Sequence, residues 1–207
     1  MLLSAIKSRY IKHSDARLCQ GDILRDVTLL ETTQKFGSDD LDVFERTLPY
    51  VVVLTQDCDL EQDEKNRTDD KKQDDDKFLQ SVLLCPAYQS LSVRAGTHLE
   101  GLGLKMQSIN RANWNLVEQN TSPRYHFLPE EPSAQLPELV LDFKQYFTSP
   151  RAFMYTRYKA NYVTTLGPLF RESLSLRFAN YLSRIGLPEF PAAKPATPAA
   201  PAPIAAP

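Results

Sequence analysis

The run Val51-Val52-Val53-Leu54 constrains the fold more than any other stretch of this chain. Three β-branched residues and a leucine in succession leave no polar side for a strand to show to water. Both faces of that strand must therefore be covered, which makes it a central strand. Pro49 bounds it on one side and Asp57-Cys58-Asp59 on the other, so the pattern predicts a strand over residues 50–56. Further strands are expected from Gly21 toward Leu30, over 81–85 where Pro86 ends the run, over 125–128 and over 139–143. Residues 152–166, rich in Tyr, Phe, Val and Thr, read as one long strand or a hairpin.

Two helices complete the order. A middle helix is expected between about residues 103 and 118, with Met106, Ile109, Asn113 and Leu116 or Val117 on one face. The last helix opens with Pro168 at its first position and stacks Phe170, Leu174, Phe178, Tyr181 and Ile185 on one stripe. Gly186 and Pro188 then stop it. Strands in runs, without regular strand–helix alternation, give an α+β class with an antiparallel or mixed, small-barrel-like sheet.

The 207 residues divide into one expected domain, 1–190, and a Pro/Ala-rich tail, 191–207, whose proline density forbids helix and core. Residues 61–77 hold no apolar side chain and are expected to form a mobile acidic loop. A net charge of −2 gives no field to draw nucleic acid or an anionic membrane; nucleic acid remains open but unsupported by charge, and a protein partner is expected. Three cysteines at wide spacing do not form a disulfide framework, so a reducing cytoplasm is the expected location. The first residues lack the long apolar core of a secretory signal, and no window is apolar enough to span a membrane.

Chemistry concentrates at Asp57 and Asp59. On an extended strand, residues two apart face the same way. Twin carboxylates at a rigid strand end can share a hard cation, Mg2+ or Mn2+. Alternatively, their like charges split into one acid and one base. On that strand Cys58 points to the opposite face, into the core. The plain structural alternative makes Asp57 a turn cap and Asp59 the start of the loop. Arg124 and His126 would share a strand face and suit a phosphate or carboxylate, with surface placement as the alternative. Asp142 interrupts an apolar strand and must be paired. It is expected either to meet Arg171 or Arg177, or to join Asp57, Asp59 and His126 around a metal.

Four likenesses accompany these residues. Asp57-Cys58-Asp59 after an apolar strand resembles the first motif of haloacid-dehalogenase-type phosphatases and the metal-binding Asp-x-Asp of nucleotide-sugar glycosyltransferases. Leu60-Glu61 departs from the phosphatase pattern, and too few residues precede the motif for the transferases. Gln20-Gly21-Asp22-Ile23-Leu24 followed by Val51-Val52-Val53-Leu54-Thr55 resembles the PemK/MazF group of small SH3-like barrels over residues 20–60. That resemblance implies a barrel and RNA-cleaving toxins paired with antitoxins, although their catalytic Arg and Thr are not placed residue by residue in this sequence. The whole chain also resembles bacterial proteins to which no chemistry attaches. The expected function is a binding or regulatory module of a bacterial multi-gene system, of toxin–antitoxin or phage-defence type. The alternative is a divalent-metal-dependent phosphoester hydrolase or nuclease using Asp57 and Asp59.

Overall fold

A computed structural model describes residues 8–14, 16–34, 37, 39–69 and 75–184. The chain is α+β, with one antiparallel sheet in the order β1-β8-β2-β3-β4-β6-β5. These strands are β1 Tyr10–Ile11, β2 Asp22–Gln34, β3 Leu41–Val53, β4 Ser81–Gln89, β5 Tyr125–Leu128, β6 Leu139–Asp142 and β8 Tyr162–Leu166. A further strand, β7 Phe147–Pro150, pairs with β4 beside β6. The sheet curls into a half-barrel. Its two outer strands approach one another where the Tyr10 hydroxyl donates to the Pro129 carbonyl, 2.6 Å away, just past β5.

The Val51–Leu54 run lies between β2 and β4, as a doubly covered strand must. Val52 and Leu54 join Ile23, Leu141 and Phe143 under α5 (Pro168–Leu182), which supplies Leu174 and Phe178. Val51 and Val53 face the other way, onto Leu60 of α1 (Asp57–Thr68) and Met154 and Tyr158 of α4 (Arg151–Asn161). A third cluster packs Trp114 and Val117 of α3 (Arg111–Glu118) and Val93 of α2 (Ser90–Ala95) against Tyr88 and Val140. Beyond residues 22–24, which pair with β8, and 50–53, which pair with β4, strands β2 and β3 pair only with each other. They stand out as a two-stranded arm reaching Gln34 and Leu41.

Several expectations are corrected. The strand expected over 50–56 ends at Val53, and Asp57 opens a helix where a loop was expected. That helix buries Leu60, Asp63 and Asn66 along one stripe. Asp63 accepts from Arg67 (2.8 Å), Arg151 (2.6 Å) and the Leu79 amide (2.8 Å), so the inward face is held by charge where hydrophobic periodicity is missing. Residues 152–161 are helical rather than extended, because Met154 and Tyr158, one turn apart, are the buried pair. Pro86 does not end β4; it falls where β4 changes neighbour from β7 to β6. The middle helix shortens to Arg111–Glu118, and the last helix opens at Pro168 as expected but ends at Leu182 with Ser183 as its cap, short of the expected Gly186 stop. Ile185, Gly186 and the tail 191–207 lie outside the described residues. Among the described residues no helix is long and apolar enough to cross a membrane.

Candidate functional site

The residues expected to converge do not. Asp57 and Asp59 are two apart on a helix, which points them to nearly opposite sides. Asp57 turns inward at the first residue of α1. It accepts from Arg17 (3.0 and 3.3 Å) and the Gln20 amide (3.1 Å), and pairs with Arg171 at 3.3 Å. Partial burial pushes its carboxyl up, but those donors and the two guanidinium charges outweigh it and hold the group below the usual range. Asp59 and Cys58 are exposed, so the thiol expected in the core is on the surface.

Asp142 pairs with Arg124 rather than with Arg171 or Arg177. The guanidinium Nε donates to Oδ1 at 2.7 Å, and Oδ1 also takes the Lys144 amide at 3.1 Å. Burial opposes ionisation of Asp142 most strongly, yet Arg124, helped by the nearby His98 and the Lys144 amide, outweighs it and keeps the carboxyl lowered. His126 lies opposite Leu141 while Asp142 lies opposite Tyr125, so strand alternation sends the two to opposite faces. Arg124 is therefore committed to Asp142, and His126 receives a hydrogen bond from Arg177 Nε at 3.1 Å. No metal site assembles from Asp57, Asp59 and Asp142, and the described hydrogen bonds of His126 and Arg124 share no partner.

A different constellation forms where β1 leads into β2. Gly21, at φ +85°, lets the chain double back; a Cβ there would stand 3.1 Å from Leu166 Cβ. Its amide donates to the Val53 carbonyl (2.9 Å) and its carbonyl accepts from Leu166 (3.0 Å), so the turn is stitched to β3 and β8. Asp22, fully buried beside it, uses both carboxylate oxygens. Oδ2 accepts the Cys19 amide at 2.8 Å; Oδ1 accepts the Thr165 hydroxyl at 2.7 Å and faces His13 Nε2 at 2.9 Å. Tyr162 closes the network: its hydroxyl donates to Thr165 Oγ1 (2.7 Å), whose own hydrogen goes to Asp22, and its ring meets the His13 ring edge-on at 5.1 Å. Burial raises the Tyr162 phenol above its ordinary value, so it remains a neutral hydroxyl. The Cys19 thiol lies 4.0 Å from His13 Nδ1.

One ligand atom from each of His13, Cys19 and Asp22 lies within 4.8 Å of the other two, so the group could hold a metal ion. The ring has its nitrogens turned to different partners, Nδ1 to the thiol and Nε2 to the carboxylate. That arrangement also has the order of a thiol–imidazole–carboxylate relay. The Cys19, Gln20, Gly21 and Asp22 amides are already spent on Asp22, Asp57, Val53 and Cys19, so these four do not form a donor pair for an oxyanion. Sequence reading missed this set because His13, Cys19 and Asp22 match no metal-ligand spacing. The Gly21 turn, Thr165 against Asp22 and Tyr162 against His13 bring them together. Compared with known proteins, the chain matches no family model, no curated protein and no solved structure.

Proposed function

We propose that this chain is a binding or regulatory module whose responsive centre is His13, Cys19 and Asp22, and that the centre takes a borderline transition metal such as zinc. One observation carries the reading: the mutual approach of imidazole, thiol and buried carboxylate ligand atoms. Thiolate and imidazole suit zinc, whereas Mg2+ and Mn2+, expected for twin carboxylates, prefer oxygen donors. Three protein ligands leave a fourth position for water or for a group on a partner. Capture requires the His13 ring to present one nitrogen to both neighbours and the thiol to release its proton. Coordination would then fasten residues 13–22 against β8, beside the Asp57 contacts that dock α1 and α5.

A protein partner belongs to this reading. Leu30, Leu41 and Val43 share one face of the β2–β3 arm and are 64, 64 and 63 % exposed. Placement in a cytoplasmic toxin–antitoxin or phage-defence system, with an SH3-like barrel ancestry, rests on sequence resemblance and composition alone. Phosphoester hydrolysis, the alternative, would have to run from this centre, since Asp57 and Asp59 have separate surroundings. The spent amides around Cys19 favour binding over catalysis.

Titration with zinc and with cobalt tests the proposal. One equivalent of cobalt should produce a thiolate-to-metal absorption band. Zinc at roughly a hundredfold above its Kd should raise Tm by about 5–10 °C. Cys19→Ser should abolish the band and most of the shift, and Mg2+ should do nothing. A wild-type protein with neither band nor shift overturns the reading.

A further inference from the structure

A cavity of about 460 Å³ opens at the root of the arm, between β3 and the α2 end of β4. Its walls include Phe44, Arg46, Leu48, Tyr88, His98 and Leu99. His98 is the unusual member. Its side chain is 1 % exposed, and neither ring nitrogen has a hydrogen-bond partner. Asp142 Oδ2 stands 3.9 Å from Nε2, too long for a good hydrogen bond though near enough for the imidazole to help lower the Asp142 carboxyl. An imidazole carries at least one N–H in any protonation state, so a buried hydrogen-bond donor here is unspent. Leaving such a group unpaired is costly, and native chains do so rarely and for a reason.

The opposite wall supplies a cation. Arg46 reaches Glu31 at 2.8 Å and the Tyr88 hydroxyl at 3.4 Å. Glu31 and Arg46 are 30 and 20 % exposed, so this ion pair is open to exchange with a competing anion. Tyr88 is buried, and burial raises its phenol above the ordinary value, so it remains a hydroxyl donor. Glu45 lies at the same wall and opposes anions; it is exposed, where solvent weakens its reach. Phe44, Leu48 and Leu99 offer the body of a ligand apolar contact.

We propose that this cavity binds a small organic oxyanion, a carboxylate or phosphate monoester on an apolar body, which takes Arg46 from Glu31 and accepts hydrogen bonds from the Tyr88 hydroxyl and His98. Asp142, fixed by Arg124, stands 3.9 Å from His98 Nε2; both ring nitrogens are buried, so the ligand reaches the imidazole as the ring turns toward the cavity and supplies the hydrogen-bond partner it lacks.

The full chain is titrated with phenyl phosphate, with benzoate and with neutral benzamide, with the His98 ring signals followed by NMR and affinity by calorimetry. Saturable binding of one or both oxyanions, with the His98 signals shifting and benzamide inert, is the expected result. The tighter of the two oxyanions identifies the source, phosphate ester or carboxylate. Glu31→Gln should tighten binding about two- to fivefold by freeing Arg46. Arg46→Gln, on the exposed arm, should weaken binding at least about tenfold, as expected for loss of a charge-assisted hydrogen bond. Unchanged thermal unfolding of each variant shows that the fold is kept. Equal binding of benzamide, loosened binding in Glu31→Gln, or no saturable shift at His98 overturns the proposal.

Discussion

The protein buries two imidazoles in different ways. His126 on β5 packs against Phe143 with ring centres 6.2 Å apart, and its Nδ1 accepts from Arg177. Burial, reinforced by the Arg177 charge, pulls its pKa down to about 3. His98 is equally hidden but has no partner at either nitrogen. A buried ring with a spoken-for nitrogen is a structural part, whereas a buried ring with unspent atoms beside a cavity is waiting for something. The sequence points to His126, because Arg124 stands two residues away, and no pattern singles out His98. Side-chain satisfaction, which no spacing reveals, reverses that order.

Breaking the His126 side should have the largest effect. Arg177 ties α5 to β5 through His126 Nδ1 and the carbonyls of Asn120, Ser122 (2.7 Å) and Tyr125 (2.9 Å). Arg177→Ala leaves these acceptors without their donor in a partly buried seam. Urea denaturation should show a loss of about 3 kcal/mol, and Tm should fall by about 6–12 °C.

The same ring makes stability depend on pH. In the unfolded chain His126 takes a proton near pH ~6.5, while in the fold it stays neutral down to about 3. Its depressed pKa therefore costs stability progressively as pH falls below ~6.5, by about 2 kcal/mol at pH 5. Asp57 and Asp142 act in the other direction and lower down. Their carboxyls are held below the usual value, so their contribution is intact above about pH 4 and is lost only as pH falls through their folded values. Urea melts at pH 7 and pH 5 should show the His126 loss in the wild type. In His126→Gln the difference should shrink by about that amount.

On the His98 side the expectation is small. Since no hydrogen bond is broken, His98→Leu should change stability by less than about 1 kcal/mol in urea melts. A loss as large as that of Arg177→Ala would mean that His98 is paired in solution, and the contrast between the two rings would fail.

What was legible in the chain follows the same division. Segments governed by apolar pattern read through: the doubly covered Val51–Leu54 run, the β5 and β6 strands and the α5 stripe all lie where the pattern puts them. Segments governed by charge did not. The helix α1 hides Asp63 where a leucine would have signalled amphipathicity, and α4 hides Met154 and Tyr158 among strand-favouring neighbours. The candidate metal residues were invisible because Asp22 gains its meaning from Thr165, far along the chain. The cavity at His98 likewise joins β3 to the loop after α2, which no local motif encodes.

The smallest expected effect, that of Asp59→Asn, tests the acid pair that the sequence singles out. Asp57 and Asp59 are equivalent as a motif and unlike as residues. Asp57 sits between Arg17 and Arg171 at the α1 N-terminus, where the helix dipole also favours a negative charge. Half-exposed ion pairs of this kind contribute modestly, so Asp57→Asn should cost about 1 kcal/mol in urea denaturation. Asp59 is exposed, with the Cys58 thiol at 3.6 Å, and Asp59→Asn should change stability by less than about 0.5 kcal/mol. Neither substitution should alter zinc uptake by more than these stability changes imply, because the metal ligands proposed are His13, Cys19 and Asp22. If Asp59→Asn alone abolished divalent-metal binding, the two carboxylates would have to act together after all, and the motif would outrank the geometry.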